Sequence, residues 1–324
     1  TSSRVIAHSI ANPAGKFEHA RDGPRFLRSC FVVVAEYDDG LYPSPAMDAW
    51  LQHWILPPGC GHATGLYMLV TAVSLLMIAT SKGGFGGLAV AASPLMMTVV
   101  DAKTALGLLL PMLLVCDVMT LPFYPKEFTW RPVLLLAPWT MIGIIAGWFL
   151  LDYARNAVPW LNVGVGVLSV VFAGLETVRW LMVRRSVSSG AGERPWRPGV
   201  LVSIPFGLGA GLCTMLAHAA GAVTTIYLLP QRLESRVFVG TTNRFYVVFN
   251  AVKIPFYVHL GLITLASLRR SLWLLPIAAL GVWGGSELNR RVSQRGFRFL
   301  VVVLLLLTGA VLIYRDRGIW ATMR

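Results

Sequence analysis

The chain has 324 residues, of which 56 % are hydrophobic and only 13 % are charged, and its formal net charge is +13. Together with a mean hydropathy of +0.65, this excludes an ordinary soluble domain and predicts an all-α polytopic membrane protein whose solvent is the lipid bilayer. The basic residues lie in short clusters at the ends of apolar segments, which indicates membrane loops and argues against nucleic-acid binding.

The first 46 residues are polar and mixed in character, with no helical period and no recognisable signal peptide. From Met47 the sequence becomes amphipathic, and Trp50 and Trp54 suit a membrane interface. We therefore expect residues 1–46 to form a disordered tail outside the membrane core, with Met47 as the native start.

Apolar windows then recur along the chain, each about 17 to 21 residues long, which is about the length that crosses a hydrocarbon core as a helix. They cover residues 104–123, 133–151, 158–178, 238–258, 272–288 and 297–314. Unpaired backbone groups are not tolerated in lipid, so a helical bundle is predicted.

The segments 101–124 and 234–257 align without gaps, and this alignment indicates an internal duplication. The aligned pairs share charge, size or polarity and include Asp101 with Glu234, Gly107 with Gly240, and Asp117 with Asn250. We predict a first transmembrane repeat at 47–182, a basic cytoplasmic linker at 183–198 and a second transmembrane repeat at 199–316.

Each repeat is predicted to hold a broken-helix hairpin followed by three transmembrane helices. The hairpin pieces are 66–80 with 88–100, and 200–212 with a shorter piece ending near Pro230; each is expected to reach only about 20 Å. Re-entrant loops and short full spans both remain open. In either case each half makes an odd number of net crossings, so the halves are predicted to have inverted topology. The distribution of Lys and Arg puts the linker in the cytoplasm and both termini outside.

The motif "SKGGFGG" breaks the first hairpin and suggests half of an anion site. Glycines let the backbone leave the helix, and the second piece then presents free N–H groups to an anion. The predicted binding residues are Lys82, Gly83, Gly84, Gly86 and Gly87. Alternatively, the glycines form a packing joint between helices.

The second hairpin carries Thr214, His218 and Gly221 at the equivalent break, and these residues are predicted to bind the same anion. Asp117 and Asn250 occupy matching places deeper in their spans, where Asp117 either carries a coupling proton or pairs with Lys82 to hold helices together. A positive, hydrogen-bonding cavity could be completed by Thr241, Thr242, Asn243, Arg244 and Lys253, although Arg244 fits a helix interface equally well.

Enzymes, metal proteins and cofactor proteins are disfavoured because the four cysteines show no Cys-x-x-Cys spacing and no acid–base pattern is present. We expect no cofactor and no metal. Three functions stay open: an anion transporter, a small-anion channel and, less favoured, a membrane-embedded enzyme. The sequence gives no indication of the oligomeric state.

Three stretches carry a family resemblance: "SKGGFGG" at 81–87, "TMLAHAAGAVTTIYLLPQRLESRVFVGTT" at 214–242 and "NAVKIPFY" at 250–257. Over about 47–314 the chain resembles the TauE/SafE family of sulfite and organosulfonate exporters. The resemblance implies a two-repeat membrane fold and export of sulfite, a sulfonate or a related small anion across the cell membrane. "HAAGAV" departs from the family's usual His-Ala-Gly-Gly, which loosens the assignment at Gly221.

Overall fold

The computed structural model describes residues 64–82, 88–153, 158–188, 196–291 and 294–315. These ranges contain helices, short 3₁₀ turns and no strand. The helices are α1 Thr64–Lys82, α2 Leu88–Met96, α3 Ala102–Thr120, α4 Trp130–Tyr153, α5 Val158–Ser188, α6 Val200–Ala217, α7 Ala220–Leu228, α8 Ser235–His259, α9 Leu265–Trp273, α10 Leu275–Arg291 and α11 Gln294–Arg315. The predicted tail, the start at Met47 and the middle of the linker lie outside the described residues, and α5 runs to Ser188, into the predicted linker.

Four of these helices are long and apolar enough to cross a membrane: α1, α3, α4 and α6. The bent pair α9 and α10 would supply a fifth crossing, with a 50° bend at the break between them. The predicted polytopic membrane fold is therefore confirmed by helix length and composition. The prediction of one continuous span at 272–288 is wrong, because the chain breaks between α9 and α10.

Helix α8 is long but not uniformly apolar. It spans 25 residues, and its buried face carries polar groups, which are Thr241, Thr242, Asn243, Asn250 and Lys253. Since a polar helix face is costly in lipid, these side chains are turned towards the other helices. The sequence singles out these same polar residues within the predicted span 238–258, and the structure buries all five of them.

Both hairpins consist of one long and one short helix. α1 has 19 residues and α6 has 18, so each extends for about 27 Å or more at 1.5 Å per residue. The expectation that these first pieces fall short of a crossing is therefore wrong. The second pieces, α2 and α7, have 9 residues each and reach only about 14 Å.

The helix contacts reflect the predicted duplication. α1 packs against α10, and its counterpart α6 packs against α4. α3 packs on its own counterpart α8, and α5 packs on its counterpart α11. Exchanging the two halves therefore maps this set of contacts onto itself, as expected for two repeats related by an approximate two-fold axis.

The counterpart helices α3 and α8 run antiparallel. Near the start of α3, a Cβ added to Gly107 would collide with the backbone carbonyl of Leu262, just beyond the end of α8. Near the start of α8, a Cβ added to Gly240 would collide with the backbone carbonyl of Glu127, beyond the end of α3. Each glycine thus admits the loop that follows the other helix. Antiparallel counterparts agree with inverted halves, which stay a prediction.

Candidate functional site

A pocket lies where the two hairpin breaks meet α8. Its empty volume is ≈ 690 Å³, with open space at its mouth included. Its walls bring together seven of the residues that the sequence singles out, which are Lys82, Thr214, His218, Gly221, Thr242, Asn243 and Asn250. Both hairpins therefore contribute to one cavity. Gly83, Gly84, Gly86 and Gly87 lie outside the described residues.

The second break is a left-handed turn between α6 and α7. His218 has a φ of 53°, and its backbone N–H donates to the carbonyl of Thr214. α7 begins at Ala220, and no side chain caps its first N–H groups. Ala220 and Gly221 both line the pocket, so uncapped backbone donors at a helix start border the cavity.

Lys82, at the first break, is held by a buried acidic group. Its side chain forms an ion pair with Asp117, whose side chain has no exposed surface. Asn250 Nδ2 donates to Asp117 Oδ2 at 2.6 Å. Asp117 and Asn250 are the aligned positions of the two repeats, so their contact lies where the two halves meet. The carboxylate thereby fixes an otherwise costly buried ammonium on the pocket wall.

Lys253 contacts the residues of the second break from outside the pocket lining. It is completely buried, and its Nζ lies 3.1 Å from the Thr214 carbonyl oxygen, 2.9 Å from Thr214 Oγ1 and 3.1 Å from His218 Nδ1. Because Oγ1 accepts from Lys253, the Thr214 hydroxyl keeps its own hydrogen to donate to the pocket. Lys253 does not line the cavity and serves as a positioning residue for Thr214.

His218 is a wall residue and not a donor to the pocket. Its Nε2 lies 3.1 Å from the backbone carbonyl of Leu106, which can only accept, so Nε2 carries the hydrogen. Nδ1 then accepts from Lys253, which leaves the imidazole neutral. Both ring nitrogens are engaged, so the ring offers no free N–H to the pocket in this arrangement, and a role of His218 in anion binding stays a prediction.

Two predicted cavity residues instead fasten the loop between α3 and α4. Thr241 Oγ1 accepts the backbone N–H of Thr129 at 3.0 Å. Arg244 donates to the carbonyl of Tyr124 at 2.9 Å, and its guanidinium carbon lies 3.5 Å from the Phe128 ring centroid. Neither Thr241 nor Arg244 lines the pocket, and the contacts of Arg244 agree with the helix-interface alternative that the sequence left open.

The same loop carries an ion pair between Glu127 Oε1 and Arg236 Nη2 at 3.0 Å. Partial desolvation acts to raise the pKa of Glu127. Hydrogen bonds from its own backbone and that of Lys126, together with Arg236, outweigh this effect and lower the pKa below its usual value. The pair ties the start of α8 to the loop that follows α3.

Tyr246 is a pocket residue that the sequence reasoning missed. Lys82 Nζ lies 4.5 Å from the centre of its ring, a cation–π contact, and its hydroxyl is 3.1 Å from Thr224 Oγ1. The available signal was spacing, because Asn243, Tyr246 and Asn250 lie at i, i+3 and i+7 on one face of α8.

Across the described ranges, no three His, Cys, Asp or Glu side chains are grouped so that they could hold a metal ion. Cys116 and Cys213 are both free thiols. The site consists instead of ammonium, hydroxyl, amide and backbone donors around a cavity, which is the chemistry of anion recognition.

The family model described as "Sulfite exporter TauE/SafE" matches residues 70–312. The match spans most of the chain and includes both hairpin breaks and every pocket-lining residue. The chain matches no curated protein and no solved structure. The match confirms the resemblance seen in the motifs of both hairpins, and the chain belongs to the TauE/SafE family of sulfite exporters, which are integral membrane transporters.

Proposed function

We propose that the chain is a secondary transporter that exports a small sulfur oxyanion, sulfonate or related carboxylate, and that the pocket between the hairpin breaks is its substrate site. The observation that carries this proposal is a buried lysine, Lys82, on the wall of a cavity to which both repeats contribute. Sites at the breaks of discontinuous helices are a recurrent feature of transporters built from repeats.

The charges around the pocket favour an anion. Lys82 and Lys253 are basic, Asp117 is acidic, and His218 is neutral in its hydrogen-bonded form. Three acceptors around Lys253 Nζ match the three N–H groups of an ammonium. With both lysines charged, one positive charge is left over, and in a medium of low dielectric it attracts a single negative charge strongly.

The donors that face the cavity come from both hairpins. Lys82 supplies a charged donor from α1, Thr214 supplies its hydroxyl from α6, and α7 supplies the backbone N–H groups near Gly221. Hydrogen bonds to an anion are stronger than those between neutral groups, and a helix N-terminus adds its positive dipole end. These groups together form the proposed oxyanion site.

Coupling to protons follows if Asp117 and the substrate compete for Lys82. In the empty site Asp117 neutralises Lys82. A proton on Asp117 would remove that competition and leave Lys82 to the substrate, so one proton and one anion would load together. Inverted halves would then expose the site alternately to the two sides of the membrane.

Transport of labelled sulfite by the purified protein in proteoliposomes, with and without a pH gradient, tests the proposal. Lys82→Gln should lower substrate affinity about ten-fold to a hundred-fold, because a charge-assisted hydrogen bond contributes roughly 1.5–3 kcal/mol. Lys126→Gln removes the same charge from an exposed loop position and should leave affinity unchanged. If Lys82→Gln and the wild type bind sulfite with equal affinity, the proposal is refuted and the first break is only a packing joint between helices. Unitary currents in planar bilayers would identify a channel instead.

A further inference from the structure

Asn243 lines the pocket and carries a buried acceptor without a hydrogen-bond partner among the described residues. Its side chain is 2 % exposed, and its Nδ2 donates to the backbone carbonyl of Asp117 at 3.0 Å. Since that carbonyl can only accept, the amide nitrogen is fixed on this side. The buried Oδ1 has no hydrogen-bond partner within the described part of the chain. Buried polar atoms are nearly always paired, so an acceptor left open at a cavity indicates a ligand that donates.

Two neighbours give the same side of the pocket an accepting character. The Thr242 hydroxyl lies 3.0 Å from the Phe238 carbonyl and donates within its own helix, so only its lone pairs remain for a ligand. Asn250 turns its amide nitrogen to the Asp117 carboxylate, which leaves the amide oxygen for other contacts. Thr242, Asn243 and Asn250 therefore each offer an acceptor on the α8 side of the pocket, whereas the proposed donors come from the hairpins.

On the basis of the proposed function, we infer that Asn243 is a specificity-determining residue and that the site selects a singly charged anion carrying its own hydrogen-bond donor. Hydrogensulfite and hydroxyalkanesulfonates meet this description. The sulfite dianion and simple alkanesulfonates do not, because they offer acceptors alone and would leave Asn243 Oδ1 unpaired. With Asp117 ionised and both lysines charged, the one excess positive charge around the pocket also matches one negative charge.

Two stable sulfonates of similar size test the inference directly. 2-Hydroxyethanesulfonate and 1-propanesulfonate carry the same charge and differ by a hydroxyl in place of a methyl group. The wild-type protein should bind the hydroxylated probe about three-fold to ten-fold more tightly, as expected for one added hydrogen bond to a buried acceptor. Isothermal titration calorimetry of the full-length protein in detergent measures both affinities.

Asn243→Leu should remove this preference, so that the two probes bind with about equal affinity and 1-propanesulfonate still binds. Asn162→Leu is the matched control, because Asn162 is also a buried asparagine with an unpaired Oδ1 but does not line the pocket. It should keep the wild-type preference. Asn243→Ser, which is small and retains an acceptor, gives a second variant if the leucine disturbs folding, and it should show an intermediate preference.

Three results distinguish the possibilities. Equal wild-type affinity for the two probes, with both weakened by Lys82→Gln, would overturn the role of Asn243 and leave the proposed function standing. Failure of the wild-type protein to bind either probe or sulfite would overturn both. An unchanged preference in Asn243→Leu would assign the selectivity to another residue and refute the inference.

Discussion

Asp117→Asn separates the structural and the transport roles of the buried carboxylate. The change keeps the shape of the side chain and removes its charge and its proton. In the native site the carboxylate pairs with Lys82 and accepts from Asn250, with no exposure to solvent. Without substrate, the variant therefore contains the buried Lys82 ammonium without a counter-ion. With substrate bound, the anion itself can serve as the counter-ion of Lys82.

The expected magnitudes follow from this geometry. An anion bound to Lys82 would lie about 5 Å from the carboxylate, where an effective dielectric constant of about 20 gives a repulsion of about 3 kcal/mol. Its removal should tighten anion binding by about a hundred-fold. Breaking the buried pair should at the same time lower the stability of the empty protein by about 3–5 kcal/mol.

Thermal unfolding in detergent at increasing 2-hydroxyethanesulfonate concentrations measures both effects, because a ligand that binds only the folded state raises its stability. Asp117→Asn should unfold at a lower temperature when empty and gain more from ligand than the wild type does. The exchange variant Asp117→Asn/Asn250→Asp is the control. It keeps the net charge but moves the carboxylate to a residue that lines the pocket, so it should bind anions more weakly than Asp117→Asn.

Proteoliposome flux completes the test. If Asp117 carries the coupled proton, Asp117→Asn should still move labelled sulfite down its gradient but lose the response to a pH gradient. Wild-type affinity together with a wild-type pH response would refute the competition between Asp117 and the substrate.

Further predictions concern the packing and the supports of the site. Gly107→Ala should lower the unfolding temperature markedly, since overpacking costs about 1–3 kcal/mol, whereas Gly164→Ala, which meets no atom within 4 Å, should not. Lys253→Met should weaken sulfonate binding in calorimetry, and in a double-mutant cycle most of that loss should disappear in a Thr214→Val background. The lowered pKa of Glu127 means that its stabilising effect is present above its unfolded pKa and is lost as pH falls through its folded pKa. Glu127→Gln should therefore flatten the acid side of the stability curve measured by thermal unfolding.

Much of the site could be predicted because local patterns determine where helices break. The glycine-rich motif after Lys82 and the small residues around His218 mark breaks by backbone chemistry alone. The aligned pairs of the repeat, such as Gly107 with Gly240, have the same role in the structure, since each admits the loop beyond the counterpart helix. A duplication thus reports tertiary contacts that neither half reveals alone.

The roles of individual polar residues depended on partners distant in sequence. Arg244 and Lys253 are both cationic residues of α8, and the step of nine residues from one to the other places them on opposite faces, about half a turn apart. This spacing shows that Arg244 and Lys253 lie on different faces of α8. Only the packing of the helices determines that Arg244 contacts the loop between α3 and α4 and that Lys253 contacts α6. His218 is a similar case. Its Nε2–H donates to the Leu106 carbonyl and its Nδ1 accepts from Lys253, so the ring has no free N–H for the pocket.

The two hairpin breaks are supported by chemically different groups, although they occupy corresponding places in the two predicted repeats. The first break is held by Lys82 and Asp117, an ion pair that an anion or a proton can disrupt. The second is held by Lys253 and the Thr214–His218 turn, where none of the three acceptors is charged. At the aligned positions of the two predicted repeats stand Asp117 and Asn250, so only one of them carries a carboxylate. We therefore expect substrate and protons to act on the first break, with the second as the fixed wall against which the anion is held.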